Sequence, residues 1–303
     1  MTTSTQTGTL APTIRKGIGG PEWVLVGITM IWGMTFLVVQ HALSVTGPFF
    51  FVGARFASAA LLLGIMSWKV LRGLTWLECL AGSLIGLSLM LGYALQTVGL
   101  MSIPSSMSAF ITALYVPFVP LLQMVFLRKI PGPMTWLAIV LSFVGLAFLA
   151  GPANVLAFDF KPGEIWTVLS ALAIAFEIIL ISAFAPQVNA ARVTVVQLAV
   201  ASIFAFIAMV PTGESIPAFS WLLVATAGGM GFASALIQYA MNWAQRTVPP
   251  TRATLIYAGE PVWAGVFGRI AGERLPALAL VGGVLIVAGV LVSGLKPGKK
   301  KSR

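Results

Sequence analysis

The sequence predicts an all-α membrane protein of ten transmembrane helices, folded as two inverted five-helix repeats around a central cavity. Three observations carry this prediction. The 303 residues are 58% hydrophobic and only 9% charged, with a mean hydropathy of +0.98. Apolar runs of spanning length alternate with short turn-rich or charged separators. Several residues recur at a fixed offset between the two halves of the chain. A soluble domain carries about 25% charged residues, and a water-facing surface cannot be built from so few. A lone cysteine, Cys79, excludes an intramolecular disulfide, and a lone histidine, His41, excludes a His-rich metal site. No metal, cofactor or catalytic residue is expected.

A spanning helix needs about 20 mainly apolar residues. Ten runs meet this, at 22–40, 48–68, 75–100, 105–127, 134–151, 163–185, 193–210, 219–242, 252–270 and 276–295. Val45-Thr46-Gly47-Pro48, Arg128-Lys129-Ile130-Pro131-Gly132-Pro133, Pro211-Thr212-Gly213 and Thr247-Val248-Pro249-Pro250 separate some of them. A β-barrel is excluded, because its strands alternate apolar and polar over about ten residues. Residues 1–21 read as a polar cytoplasmic tail, 22–151 as the first repeat, 152–162 as an extracytoplasmic connection, 163–295 as the second repeat and 296–303 as a basic tail. No separate apolar segment with an Ala-x-Ala site precedes the first run, so the first helix is expected to direct insertion.

Lysine and arginine set the orientation. With the N-terminus inside, 14 of the 18 fall on the cytoplasmic side and Lys161, Arg269 and Arg274 fall outside, while Arg55 lies within a span. Both termini are therefore expected in the cytoplasm, with the protein in the inner membrane. The net charge of +10 is explained by these loops facing an anionic leaflet, without nucleic acid.

Ala109, Pro117, Val140, Leu141 and Gly145 recur as Ala253, Pro261, Val284, Leu285 and Gly289, an offset of 144. An odd number of helices per half makes the second half enter from the opposite side. Inverted repeats of this kind mark secondary transporters, whose substrate site lies near the midplane. Trp32-Gly33-Met34-Thr35-Phe36 resembles the Trp-Gly-x-x-Phe signature of the EamA family in the drug/metabolite transporter superfamily. Pro48 followed by Arg55, and the stretch from Arg252 through Glu260, Pro261, Gly268 and Gly272-Glu273 to Gly294, are similar to the family's pattern. The first-half counterpart of Glu273 is Lys129. Within the family the chain looks most like the YddG-type amino-acid exporters. The resemblance implies a cavity lined by helices one, three, four, six, eight and nine.

Arg55, Glu177 and Glu260 are ionisable groups inside spans. Each costs about 3 kcal/mol or more at a helix centre, which makes each a functional candidate. Arg55 is read as structural or gating. The substrate-binding set adds Trp32, Tyr93, Gln96, Thr112, Tyr115, Gln238, Asn242 and Tyr257, with Thr97 beside them. Amides and hydroxyls at this depth need partners, and aromatic faces suit cationic or aromatic groups. Pro117 and Pro261 are hinge candidates, and Trp23 and Trp243 fit an interfacial belt. Gly82-x-x-x-Gly86 and Gly228-Gly229-Met230-Gly231 read as close helix packing.

The expected function is export of small metabolites by alternating access. Amino acids are the expected substrate, possibly aromatic ones and related compounds. The driving force is a gradient, of substrate or of protons through Glu177 or Glu260. The alternatives are a transporter of drug-like, sugar or nucleotide metabolites, and a lipid-processing membrane enzyme. The enzyme needs clustered His, Asp or Glu, whereas Asp159, Glu164, Glu214 and Glu273 scatter over the outer loops. The partners expected are a small-molecule substrate and the lipid bilayer, for a monomer or weak oligomer.

Overall fold

A computed structural model describes residues 19–150, 162–272 and 278–293. All regular structure among them is helical: α1 Gly20–Ala42, α2 Pro48–Met66, α3 Trp68–Leu71, α4 Trp76–Leu100, α5 Ser105–Thr112, α6 Tyr115–Phe126, α7 Pro133–Ala150, α8 Pro162–Phe184, α9 Ala190–Thr212, α10 Trp221–Ala244, α11 Pro250–Tyr257, α12 Glu260–Ile270 and α13 Ala279–Ser293. A 3-10 turn, Ala185–Gln187, follows α8. Six helices (α1, α2, α4, α8, α9 and α10) are long and apolar enough to cross a bilayer, and α6, α7 and α13 are shorter apolar helices. Lys161, Glu273, Arg274 and the two tails lie outside the described residues.

The outward faces identify the solvent. Leu61, Ile65, Ile203, Ile207, Val284 and Leu291 are exposed, so apolar side chains cover the outside as well as the core. That is a lipid-facing surface. The tryptophans divide in the same way: Trp23 is 60% exposed at a helix end, and Trp32 is 1% exposed three turns further in.

The fourth and ninth runs each divide into two helices, α5–α6 and α11–α12. The reason is local. Pro117 has no N–H to give the Ala113 carbonyl, and Val116 N–H donates to that oxygen instead, at 2.9 Å. In the second half Gly259 N–H donates to Ile256 O at 3.0 Å, tightening the chain just before Pro261. Both prolines stand in the first turn of the second helix of the pair, where proline is tolerated. Pro120 lies inside α6 as well.

The two halves pack alike. Helix α1 lies on α10 as α8 lies on α4, α2 contacts α10 as α9 contacts α4, and α12 lies on α1 as α6 lies on α8. The contact of α7 with α13 is reciprocal. A Cβ at Gly145 would meet Gly282 O and Ile286, and one at Gly289 would meet Ala138 O and Ser142. These are the same positions exchanged between halves. Helix α6 and helix α11, the counterpart of α5, run in opposite directions past each other. Thr251 near the start of α11 donates to Gln123 Oε1 near the end of α6, at 2.6 Å.

Polar clasps fasten the two ends. At one, the basic end, Arg252 pairs with Glu22 at 3.3 Å and Arg192 with Glu78 at 3.2 Å. Glu78 also closes a capping box with Thr75 and accepts Asn189 N–H at 2.9 Å. At the opposite end Gly213, at φ 67°, takes the left-handed turn that stops α9. The turn sends Glu214 to the start of α2, where its oxygens accept Phe49 N–H at 3.0 Å and Phe50 N–H at 2.7 Å. A carboxylate at a helix N-terminus satisfies donors that lipid cannot.

The glycine-packing expectation divides. Gly82 and Gly86 press on α9, and Gly231 presses on Ser58 and the Arg55 carbonyl. Gly228 and Gly229 meet nothing within 4 Å and face outward. Gly231→Leu should therefore lower the thermal midpoint of the purified protein, an overpacking cost of about 1–3 kcal/mol. Gly228→Leu should leave it unchanged, as read by a melting curve in detergent.

Candidate functional site

The break at Ala258–Gly259 sets Glu260 at the head of α12, and the break at Ala113–Leu114 sets Tyr115 at the head of α6. The two side chains meet there: Tyr115 Oη donates to Glu260 Oε2 at 3.3 Å. Gly33 lets α1 approach this point. A Cβ at Gly33 would stand 2.7 Å from Ala264 N and 2.8 Å from Glu260 O. One residue away, Trp32 packs edge-on against Tyr257, with ring centroids 5.8 Å apart.

From this pair a polar and aromatic ring closes. Tyr257 lies within electrostatic reach of Glu177, and Glu177 faces Gln238. Gln238 also faces the Tyr93 hydroxyl, which lies within electrostatic reach of Glu177 and Glu260. The Arg55 guanidinium covers the Tyr93 ring at 4.8 Å and the Phe56 ring at 5.6 Å, and its Nε donates to Ser234 Oγ at 2.5 Å. The structure thus gathers Trp32, Arg55, Tyr93, Tyr115, Glu177, Gln238, Tyr257 and Glu260 into one centre.

Other candidates stand apart from it. Gln96 Nε2 donates to Thr112 Oγ1 at 3.0 Å and joins α4 to α5. Thr97 donates to the Tyr93 carbonyl of its own helix. Asn242 is one turn beyond Gln238 and donates to Thr194 and Gln197 of α9 at 3.1 and 2.9 Å. Trp243 is exposed at the basic end, as a belt residue is, and lines a cavity of about 350 Å³ with Pro21, Pro186, Arg246 and Thr247.

The centre is sealed. Glu177 is 0% exposed and Glu260 1%. Yet both Glu177 oxygens and Glu260 Oε1 have no hydrogen-bond partner, and neither do Arg55 Nη2, Gln238 Nε2 or Asn242 Oδ1. Towards the basic end the seal is polar: Ser182 Oγ donates to Gln245 Oε1 at 2.7 Å, and Gln245 Nε2 donates to Tyr257 Oη at 3.1 Å. Towards the opposite end it is apolar, built from Phe36, Val39, Phe51, Leu100, Leu223 and Met230.

Sequence reading passed over Gln123, Gln197, Ser234 and Gln245. The same rule that selected Gln96, Gln238 and Asn242 (an amide at membrane depth needs a partner) selects Gln123 and Gln197. Ser234 gives no such signal, because its hydroxyl also donates to Met230 O of its own helix. No group of three or more metal-ligating side chains occurs among the described residues.

Residues 21–151, and again 161–295, match the EamA-like transporter family. The chain belongs to this family. It is 28% identical over 294 residues to an uncharacterized transporter of Archaeoglobus fulgidus, covering 93% of this chain and 90% of that one. It is 28% identical over 281 residues to the uncharacterized inner membrane transporter YedA of Escherichia coli K12, covering 89% of each. One crystal structure superposes with a TM-score of 0.73 at 14% identity, over 91% of this chain and 98% of its own, and shares the fold. The protein is thus a multi-pass membrane transporter of the EamA type.

Gln197 holds the amides of this centre together, giving Nε2 to Gln238 Oε1 at 2.8 Å while accepting from Asn242. Gln197→Leu strands Gln238 Oε1, while Asn242 Nδ2 keeps Thr194 Oγ1 and Gln238 O. The expected loss is about 1–3 kcal/mol for the buried group left unsatisfied. A depressed melting midpoint checks it.

Proposed function

We propose that this EamA-type chain is a secondary transporter that exports amino acids, aromatic ones and related compounds among them, from the cytoplasm across the inner membrane. In this reading ten crossings form two inverted units, 22–151 and 163–295, with both termini and the basic end in the cytoplasm. The likeness to YddG-type exporters supports the substrate. The centre supports it independently, since two acids set among Trp32, Tyr93, Tyr115 and Tyr257 suit an ammonium group and an aromatic side chain. The observation that carries the reading is that both Glu177 oxygens and Glu260 Oε1 lack a hydrogen-bond partner at zero or near-zero exposure. A buried carboxylate without a partner is costly unless it takes up a proton or a cation.

Transport runs by alternating access. The Ser182–Gln245–Tyr257 lock closes the cytoplasmic side and the apolar cluster closes the other. Pro117 and Pro261 act as hinges, because each follows a tightened turn that can bend without losing an α-helical hydrogen bond of its own. Both units lie in one chain, so a monomer or weak oligomer suffices.

The test is uptake into inside-out vesicles or proteoliposomes with a panel of labelled amino acids, sugars and nucleosides. Aromatic amino acids should accumulate, and Glu177→Gln or Glu260→Gln should slow them about tenfold or more, the equivalent of about 1.4 kcal/mol. Movement of sugars or nucleosides alone overturns the substrate. If a pH gradient drives the uptake, the same two substitutions should abolish the drive, and retained drive removes both acids from proton coupling. The lock has its own check. With Cys79→Ser as background, Gln245→Ala should speed labelling of Glu177→Cys, a position in the sealed centre, by a membrane-impermeant maleimide applied from the cytoplasmic face.

A further inference from the structure

We propose that Arg55 is the anion site of this centre: its guanidinium takes the carboxylate of the transported molecule and confines the substrates to compounds that carry one. The inference rests on the transporter reading above and adds the chemical group that the substrate must bear.

Arg55 stands two turns into α2, about 10 Å from that end at about 1.5 Å per residue. It is 2% exposed. Its Nε is fixed by Ser234 Oγ, whose own proton goes to Met230 O at 2.7 Å. The rings of Tyr93 and Phe56 hold the plane of the guanidinium. Nη2 is buried with no hydrogen-bond partner. Among the described residues the ion pairs are Arg192–Glu78 and Arg252–Glu22, both at the basic end, and Arg55 takes part in neither.

A guanidinium cannot give up its proton. The two buried acids can become neutral, but Arg55 stays charged in every state of the centre. Burying a charge without a counter-ion is costly, and ring faces recover only part of that cost. A purely structural residue would not need the charge. Helix α2 is already fastened on both sides without it: Ser58 Oγ reaches Ala227 O of α10 at 3.0 Å, and Ser202 Oγ of α9 reaches Gly53 O at 2.9 Å. A fixed, planar and dry donor lacking an acceptor matches a carboxylate, which a guanidinium binds with charge-assisted hydrogen bonds.

The rest of the centre agrees in sign. The guanidinium that carries the unpartnered Nη2 lies over the Tyr93 ring, and the unpartnered acceptors, on Glu177 and Glu260, lie within electrostatic reach of the Tyr93 hydroxyl. A molecule with a carboxylate at one end and an ammonium at the other satisfies both sets across one tyrosine. An amine without the carboxylate leaves Arg55 as it is now.

The experiment uses full-length protein in nanodiscs and reads binding by isothermal calorimetry and thermal shift. The probes are L-phenylalanine, its primary amide, phenethylamine and 3-phenylpropionate, followed by the remaining common amino acids. The acids should bind at least about tenfold more tightly than the amide and the amine, as expected for loss of a charge-assisted hydrogen bond. Arg55→Gln should erase that preference and Arg55→Lys should keep part of it. Ser58→Ala should lower the midpoint and leave the preference intact. Equal binding of acid and amide by the unaltered protein overturns the proposal, as does an acid preference that survives Arg55→Gln. So does a failure of every carboxylate to bind. The two readings separate cleanly. Acids that bind in nanodiscs but do not cross vesicles leave Arg55 in place and remove amino-acid export. Amides and amines that cross as fast as acids do the reverse.

Discussion

Hydrocarbon offers no hydrogen bonds, so every polar group this bundle carries at membrane depth must find its partner inside it. Threonine and serine solve the problem locally: Thr35, Thr97, Thr167, Thr194 and Thr254 all donate to a carbonyl of their own helix. Amides cannot do so with both ends, and they tie helices together instead. Asn242, Gln197 and Gln238 link α9 to α10, while Gln123 and Thr251 link α6 to α11. Hydroxyls aside, the unsatisfied buried side-chain atoms among the described residues belong to Arg192 at the basic end and, at membrane depth, to Arg55, Glu177, Gln238, Asn242 and Glu260. The constraint is met almost everywhere and left open at one place, which is where a ligand has something to gain.

The same constraint makes the two seals unlike. Opening the basic end exchanges the Ser182–Gln245–Tyr257 bonds for bonds to water, a nearly even trade. Opening the other end wets Phe36, Phe51, Leu100 and their neighbours, and apolar exposure costs about 25 cal/mol per Å². The polar seal is specific in geometry and cheap to break, and the apolar seal is the reverse. In the absence of other forces the centre communicates more readily with the basic end. The prolines add to this a place to bend. Pro117 and Pro261 sit where the ladder of i to i−4 bonds is already interrupted, so a change of angle there breaks little.

Much of this was legible in the sequence, because lipid exposure and helix length leave broad signals. Apolar runs located the helices to within a few residues, and Pro-Gly separators such as Pro211-Thr212-Gly213 marked real turns. The buried ionisable residues could be named for the same reason: charge is conspicuous where nothing else is charged. What stayed hidden is pairing. Glu214 read as a scattered outer-loop acid, yet it caps α2 from the other half of the chain. Gln245 falls between the eighth and ninth apolar runs and drew no attention there, yet it locks Tyr257 to Ser182. The four-residue helix α3 falls inside a stretch that read as span and loop. Periodicity says which face of a helix is inward, and it is silent about which inward face that one meets. Gly228 and Gly231 show the limit in miniature, since three positions on a helix separate a lipid-facing glycine from a packed one.

The backbone contacts repeat between the halves, but the chemistry does not. The first half supplies Arg55 and the rings of Trp32, Tyr93 and Tyr115. The second supplies the Glu177 and Glu260 carboxyl groups, the Gln238 amide and Tyr257. In the alternating access proposed above, similar packing on each side would let the halves rock against each other with little change in fit. Unlike chemistry gives that motion a direction, because a ligand touching both halves stabilises the arrangement in which they are close. A ligand shifts a conformational equilibrium only by its difference in affinity for the two states. A centre whose guanidinium and carboxyl groups stand on opposite halves makes that difference large for a molecule bearing both charges. For a molecule bearing one charge it stays small. Selectivity and the ligand's bias on the proposed conformational step therefore draw on the same few side chains of the sealed centre.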